Sequence, residues 1–421
     1  MLGQLIDPFY PPIQERQPLP WFYMPGTFSI LLLGYSVGPG TIRSSVTSLA
    51  LLALVLLRPA FTLGSVSKDY SLSGIPILWL LLFVDLGTNA YHPRYVGKPA
   101  VVGGGNKPAE KGSGSGSDSD SGVGFRDLKT WPQRLKWAAR LAGTTRGIGW
   151  DWQVKNVPAN PDAGRSRWAF VGLSLLDFAR RSTLRALAVY GIGFCQTVQP
   201  SVAATSPVLS RALGVVINWC GGVWGWQTIG LSQAGGSAVA VALGLSEPWE
   251  CPPMLDSLSN AWSVRQMWSS AYHQMLRRLL SQPGIRLCQF LGIRKGTFAS
   301  RYLQLYLAFF ISFGIHWWQQ YTITRRDKGE FAFFMLQPVV ITFEDFVQWL
   351  WGKAVSDPKR KESLRSFELA VGYVWTFVAF TFTMHPYVKG MTGTGAIGGN
   401  SPEETAALLL GQQHGATYLQ A

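Results

Sequence analysis

Charge is scarce in this chain: 14% of its 421 residues are Asp, Glu, Lys or Arg, while 47% are hydrophobic. A soluble domain carries about 25% charged residues, so a purely aqueous setting is the first thing the composition argues against. Cysteine is also scarce. Cys195, Cys220, Cys251 and Cys288 are widely spaced, without a CxxC or a pairing pattern, which supports neither a disulfide framework nor a zinc site. Several signatures are missing: the phosphate loop GxxxxGK[ST], a GxGxxG opening a helix, HxxxD and HExxH. Their absence removes support for nucleotide-driven, soluble acyltransferase and zinc-protease chemistry. No nucleic-acid module accompanies the net charge of +14, and the basic residues gather between apolar blocks, where anionic headgroups account for them.

Apolar residues are what the chain has, and they come in blocks, at 28–33, 46–57, 75–86, 184–194, 302–318, 331–341 and 369–382. Extended by flanking Tyr, Trp, Ser and Thr, they make about seven to nine transmembrane spans. A buried soluble helix would show a charged face at helical spacing; the stretch YLQLYLAFFISFGIHWWQQY has no charge on any face. Eighteen tryptophans fit interfacial belts or a ring-lined cavity.

The opening segment lacks the basic-then-apolar order of a cleaved signal, so insertion through the first span is expected, in the endoplasmic reticulum for a eukaryotic source. Residues 1–90 hold N-terminal transmembrane helices, with Gly38-Pro39-Gly40 between the first two. Residues 91–167 read as a cytosolic loop from their excess of Lys and Arg. That loop contains a disordered linker at 103–124 and then an interfacial amphipathic helix broken by Pro132, with Leu128, Trp131 and Leu135 opposite Arg134, Lys136 and Arg140. Spans and short connections alternate over 168–388. The Gly-rich region 208–245 reads as one broken or two short spans, and 389–421 as a flexible tail.

Five histidines exist, and two stand out. His316 lies inside an apolar helix, where an ionisable residue is costly and faces the bundle interior or a water-filled cavity. Ser312, Gln319 and Gln320 share its face at i−4, i+3 and i+4; the alternative is an interhelical hydrogen-bond seam. His273 belongs to SVRQMWSSAYHQMLRRLL, which reads as an amphipathic helix with Val264, Trp268, Met275 and Leu279 on one side. Gln266, Ser269, Ser270, His273 and Arg277 collect on the other. An imidazole in apolar surroundings stays neutral and can take a proton from an alcohol, which suits acyl transfer from a thioester. His92 and His385 stand beside proline at span ends and His414 in the tail, positions that suit interface and tail residues.

Three segments in order, RGIGWDW at 146–152, EPWECPPMLDSLSNAWSVRQMWSSAYHQMLR at 247–277 and FFISFGIH at 309–316, together resemble the wax synthase-like branch of the membrane-bound O-acyltransferases. The likeness is strongest to fungal members that acetylate terpenoid and meroterpenoid hydroxyls. Trp268, His273-Gln274 and Arg277 match the branch's Trp-His-Gln step and downstream arginine. Two departures stand out: Ser269 and Ser270 replace basic residues, and Phe313 separates serine from glycine in the following Ser-Gly-x-x-His step.

The resemblance implies an all-α polytopic transmembrane bundle around an internal reaction chamber, with the acyltransferase core at 168–388. His316 would be the base and His273 would help hold the acyl carbonyl or the attacking hydroxyl. Trp268, Ser269, Gln274, Arg277, Ser312 and Gln320 are the candidate substrate- or CoA-binding residues. The implied donor is acetyl-CoA, the acceptor a lipophilic alcohol, the surroundings membrane lipid, and no metal or nucleic acid takes part. Arg277, Arg278, Arg286, Arg294, Lys295 and Arg301 could form a basic rim for the CoA phosphates, or simply a positive-inside loop. Alternative readings are a long-chain wax-ester or sterol-ester synthase, a transporter or lipid-binding protein with polar stripes along a permeation path, and a structural scaffold.

Overall fold

The computed structural model describes residues 5–88, 92–98 and 122–398, which form a mostly helical molecule. Its principal helices are α1 Tyr23–Ser36, α2 Thr41–Leu57, α3 Val66–Leu86, α4 Trp131–Ala142, α5 Arg167–Ala203, α6 Pro207–Ala242, α7 Arg277–Phe290, α8 Phe298–Thr324, α9 Glu330–Ala354, α10 Pro358–Thr383 and α11 His385–Gly393. Two minimal sheets accompany them: β1 Gln17–Pro18 parallel to β2 Phe61–Thr62, and β3 Arg94–Tyr95 antiparallel to β4 Val123–Gly124. Among the described residues four segments are long and apolar enough to cross a membrane, Thr41–Ala60, Val66–Leu86, Phe298–Thr324 and Glu362–Thr383.

Helices α1 to α3 pack closely because glycine allows it: a Cβ on Gly34 would lie 2.8 Å from Phe83 of α3 and would collide with Thr47 of α2. The entry to α3 is tied down by a buried ion pair, Arg58 Nη2 to Asp69 Oδ1 at 2.9 Å, with both side chains fully buried. Asp69 also accepts from Thr62 Oγ1 at 2.7 Å and from the Leu63 amide at 2.8 Å, which satisfies the carboxylate that burial strips of water.

The amphipathic helix expected across Pro132 begins at Trp131 instead. Pro132 sits in its first turn, where a missing N–H costs nothing, and the Gln133 amide oxygen accepts the Thr130 N–H at 3.2 Å. The linker expected at 103–124 lies outside the described residues up to position 121; its last residues pair as β4 with Arg94 and Tyr95.

The Gly-rich region is neither broken nor double. It is one 36-residue helix, α6, lying along the 37-residue α5, and at 1.5 Å per residue about 54 Å long. Its glycines serve close approach: a Cβ on Gly221 would lie 2.6 Å from Val388, one on Gly235 3.2 Å from Phe178, and one on Gly230 would overlap Arg181. Small residues at helix contacts do this in membranes without interrupting the helix.

Residues 389–398 also depart from the flexible-tail expectation, since Met391, Ala396 and Ile397 are buried in a core shared with α5, α6 and α9 to α11. A second core joins α1 to α4 with Trp150, Trp152 and the start of α7. Helix α8 runs between the two, giving Phe309 to one and Ile315, Trp318 and Tyr321 to the other.

Candidate active site

The segment 263–276 is where sequence and structure part most sharply. One helical turn, Val264–Gln266, is capped by the Ser263 hydroxyl accepting the Gln266 N–H at 3.0 Å and by Glu344, whose Oε2 accepts the Val264 N–H at 2.7 Å. It runs straight into a π-helical turn, Met267–Ala271, and then breaks with Tyr272 extended at ψ 165°. His273 therefore stands in an interruption rather than on the polar side of a continuous amphipathic helix. Side chains fill the backbone bonds that the break leaves open: Gln274 Nε2 donates to the Tyr272 carbonyl at 2.8 Å and the Trp268 carbonyl at 3.3 Å. Arg277 Nη1 donates to the Ser269 carbonyl at 2.8 Å and to Gln274 Oε1 at 2.7 Å. Such π-turns recur at functional sites.

Four of the expected substrate- or CoA-binding residues thus meet the protein itself. Gln274, 2% exposed, and Arg277 hold the break. Ser269 contributes its carbonyl to Arg277 and to Asn156 Nδ2 at 2.8 Å. Trp268 packs edge-on against Tyr272 at 5.3 Å and Phe309 at 5.5 Å, while its Nε1 donates to Gln337 Oε1 at 3.0 Å. On α8, Ser312 is buried, and Gln320 is fully buried with its Nε2 directed to Thr324 Oγ1 at 3.4 Å.

His273 and His316 come together electrostatically. Deep placement among apolar groups pulls the His273 imidazole down to about 3, with His316 and then Arg146 adding repulsion. Its Nδ1 is sealed from solvent and has no hydrogen-bond partner among the described residues. His316 is half-buried, stacked on Phe334 at 4.6 Å and 14°. Its Nδ1 lies 3.3 Å from the Tyr70 hydroxyl, which in turn lies 2.9 Å from the Tyr387 hydroxyl.

Arg146 explains why two separated motifs accompany the histidines. It is buried, and its Nη1 and Nη2 each donate at 2.6 Å to the carbonyls of Pro253 and Pro252. Gly147 and Gly149 adopt positive φ, 65° and 77°, against Trp152 and Trp249, a backbone that glycine adopts freely. RGIGWDW is therefore a clamp on the Pro-Pro segment leading to His273.

Of the six residues in the expected basic rim, Arg278 Nε and Arg286 Nη2 pair with Asp85 at 2.5 and 2.9 Å, and Arg277 faces inward. Arg294, Lys295 and Arg301 remain exposed around the α7–α8 connection. His385 contacts Asn218 Oδ1 through Nδ1 at 3.3 Å, joining α11 to α6.

The sequence reading did not single out Tyr70, Tyr387 or Glu330. Glu330 opens α9 fully buried, its Oε2 accepting the Lys328 N–H at 2.7 Å, and burial pushes its carboxyl up to about 8. The one signal was a carboxylate leading an apolar run, in DKGEFAFF. Tyr387 was hidden by its place beside His385 at a span end.

A helical bundle that holds both of these histidines agrees with what sequence comparison finds. The model of the Membrane bound O-acyl transferase family matches residues 251–336, which include both His273 and His316. The chain belongs to this family of integral membrane proteins. Among curated proteins it is 30% identical to Acetyltransferase sirH of Leptosphaeria maculans over 282 residues, 62% of this chain and 66% of that one. It is 30% identical to Acetyltransferase ple2 of Rhodocybe pseudopiperita over 294 residues, 67% of this chain and 73% of the relative. O-Mevalon transferase macI of Penicillium terrestre is also 30% identical, over 247 residues, 52% of this chain and 55% of the relative. The chain spans just under two thirds of the length of the sirH relative, at 66%. No solved structure matches.

Proposed function

We propose that the protein is a membrane O-acetyltransferase that moves the acetyl group of acetyl-CoA to a hydroxyl of a lipophilic secondary metabolite, a terpenoid or meroterpenoid. The observation that carries this reading is the pairing of His273 and His316 within the family-matched segment, each half-buried and one electrostatically depressing the other. The acetyltransferase names of the relatives favour acetyl as the group transferred.

In this reading the substrate oxygen attacks the thioester carbonyl as its proton passes to His316, forming the new C–O bond. The tetrahedral intermediate collapses with cleavage of the C–S bond, and the proton returns from His316 to sulfur, giving free CoA. His273, neutral and with Nδ1 unpartnered, is suited to hold the carbonyl or the attacking hydroxyl; a preorganised donor in a dry site needs little rearrangement as charge develops. The partly accessible imidazoles would face an internal chamber, with acyl-CoA entering from the cytosolic side. Arg294, Lys295 and Arg301 would meet its phosphates, and the endoplasmic reticulum is the expected membrane.

Membranes carrying wild type or His316→Ala, supplied with acetyl-CoA and a panel of terpenoid alcohols, test this by mass spectrometry of free CoA and product. A fall of about a hundredfold or more in the equally abundant variant is expected from loss of a general base; equal activity would remove His316 from the mechanism. One observation favours a second reading. A relative named O-Mevalon transferase points to a larger acyl group, and running mevalonyl-CoA and long-chain acyl-CoA donors beside acetyl-CoA separates the two.

A further inference from the structure

His316 ends a hydrogen-bonded chain whose other members come from opposite ends of the sequence. We propose that Tyr70, backed by Tyr387, is the positioning residue of the His316 base: its hydroxyl oxygen accepts Nδ1–H, leaving the Nε2 lone pair to take the substrate proton. The inference rests on the reading of His316 as that base. The hydrogen bond at one ring nitrogen decides which nitrogen carries the proton, and here Nδ1 faces the Tyr70 hydroxyl at 3.3 Å, with the Gln319 side chain a second hydrogen-bonding neighbour of the ring. Tyr70 can accept there because its own proton has a destination, the Tyr387 oxygen at 2.9 Å.

The chain is built to hold still. Tyr70 follows Asp69, the residue fixed by Arg58, Thr62 and Leu63. Its carbonyl accepts from Gln319 Nε2 at 3.1 Å, one turn beyond His316 on the same helix, and a Cβ on Gly74 would lie 2.7 Å from that amide. Tyr387 stacks on Phe333 at 5.0 Å and 12°. Its helix rests backbone to backbone on the turn before α9, where Gly390 meets the Lys328 carbonyl and Gly329 meets that of Pro386, with no room for a Cβ at either glycine. Phe334 covers one face of the imidazole. During transfer Nε2 gains the substrate proton and later passes it to sulfur, while the Tyr70 oxygen steadies the doubly protonated ring. Neither tyrosine gains or loses a proton overall.

The test uses the full chain in nanodiscs: kcat and KM of Tyr70→Phe and Tyr387→Phe, with 15N spectra of histidine-labelled protein in which the His316 signals are those lost in His316→Gln. In wild type His316 is expected as the Nδ1–H tautomer. Tyr70→Phe should lower kcat about ten- to a hundredfold, the usual range for a residue acting through another, with KM little changed and the tautomer mixed. Tyr387→Phe should show the same changes to a smaller degree. An Nε2–H tautomer in wild type overturns the proposal whatever the variants do. So does a Tyr70→Phe protein with wild-type kcat and tautomer; if His316→Ala is then inactive, the base reading survives alone. A fully active His316→Ala would remove the base reading itself.

Discussion

Replacing Arg146 separates its role as a clamp from its role as a charge. The guanidinium spans two adjacent carbonyls, those of Pro252 and Pro253, at 2.6 Å each, and is 5% exposed. Hydrogen bonds to charged groups contribute about 1.5–3 kcal/mol apiece, so Arg146→Met, which keeps the stem and removes both bonds, should destabilise the fold by about 3–6 kcal/mol. Arg146→Lys keeps the positive charge beside His273 but offers a point charge in place of a planar fork, and should lose about half of that. The clamped prolines lead through residues 254–262 to the capped turn and the His273 break. A shift of about 1 Å there can cost about a hundredfold in rate. The assay is thermal inactivation in detergent, followed by tryptophan fluorescence, with kcat measured below the transition. Equal melting and equal kcat in wild type and both variants would refute the clamp; a loss in the Met variant with full retention in Lys would mean that charge alone matters.

Other outcomes follow from the same contacts. Asp69→Ala leaves Arg58 buried without its carboxylate and should cost about 3–5 kcal/mol, read as lost heat resistance. The His273 imidazole titrates at about 3 in the fold against 6.5 for a free side chain, so the unfolded chain binds the extra proton between those values. Stability should therefore be full above pH 6.5 and fall as pH drops toward 3, and His273→Gln should flatten that part of a melting-versus-pH curve. Gly390→Ala forces a methyl against the Lys328 carbonyl and should lower both melting temperature and kcat by displacing Tyr387. His385→Gln, which removes the contact to Asn218, should leave kcat unchanged; a large loss would bring that histidine into the mechanism.

Helical character, the two distinguished histidines and their family motifs were legible in the chain because each is local or ordered along it. Uncharged apolar runs need an apolar setting, and a polar group inside one needs a reason. The glycines of α6 misled for a physical reason: their cost as helix interrupters is local, but their benefit depends on Val388, Phe178 and Arg181, which lie far away in the chain. The helical periodicity of 263–280 misled likewise, because a π-turn shifts every following residue off its expected face. After that shift Gln274 and Arg277 hydrogen-bond to carbonyls across the break.

Composition and the order of the family motifs suffice for a helical membrane protein carrying His273 and His316, since neither depends on which helices touch. That Tyr70 and Tyr387, 317 positions apart, meet at His316, and that Arg146 holds the approach to His273, emerges from the folded arrangement alone. Contacts across such separations leave no periodic trace along the chain; they arise where α3, α8 and α11 converge.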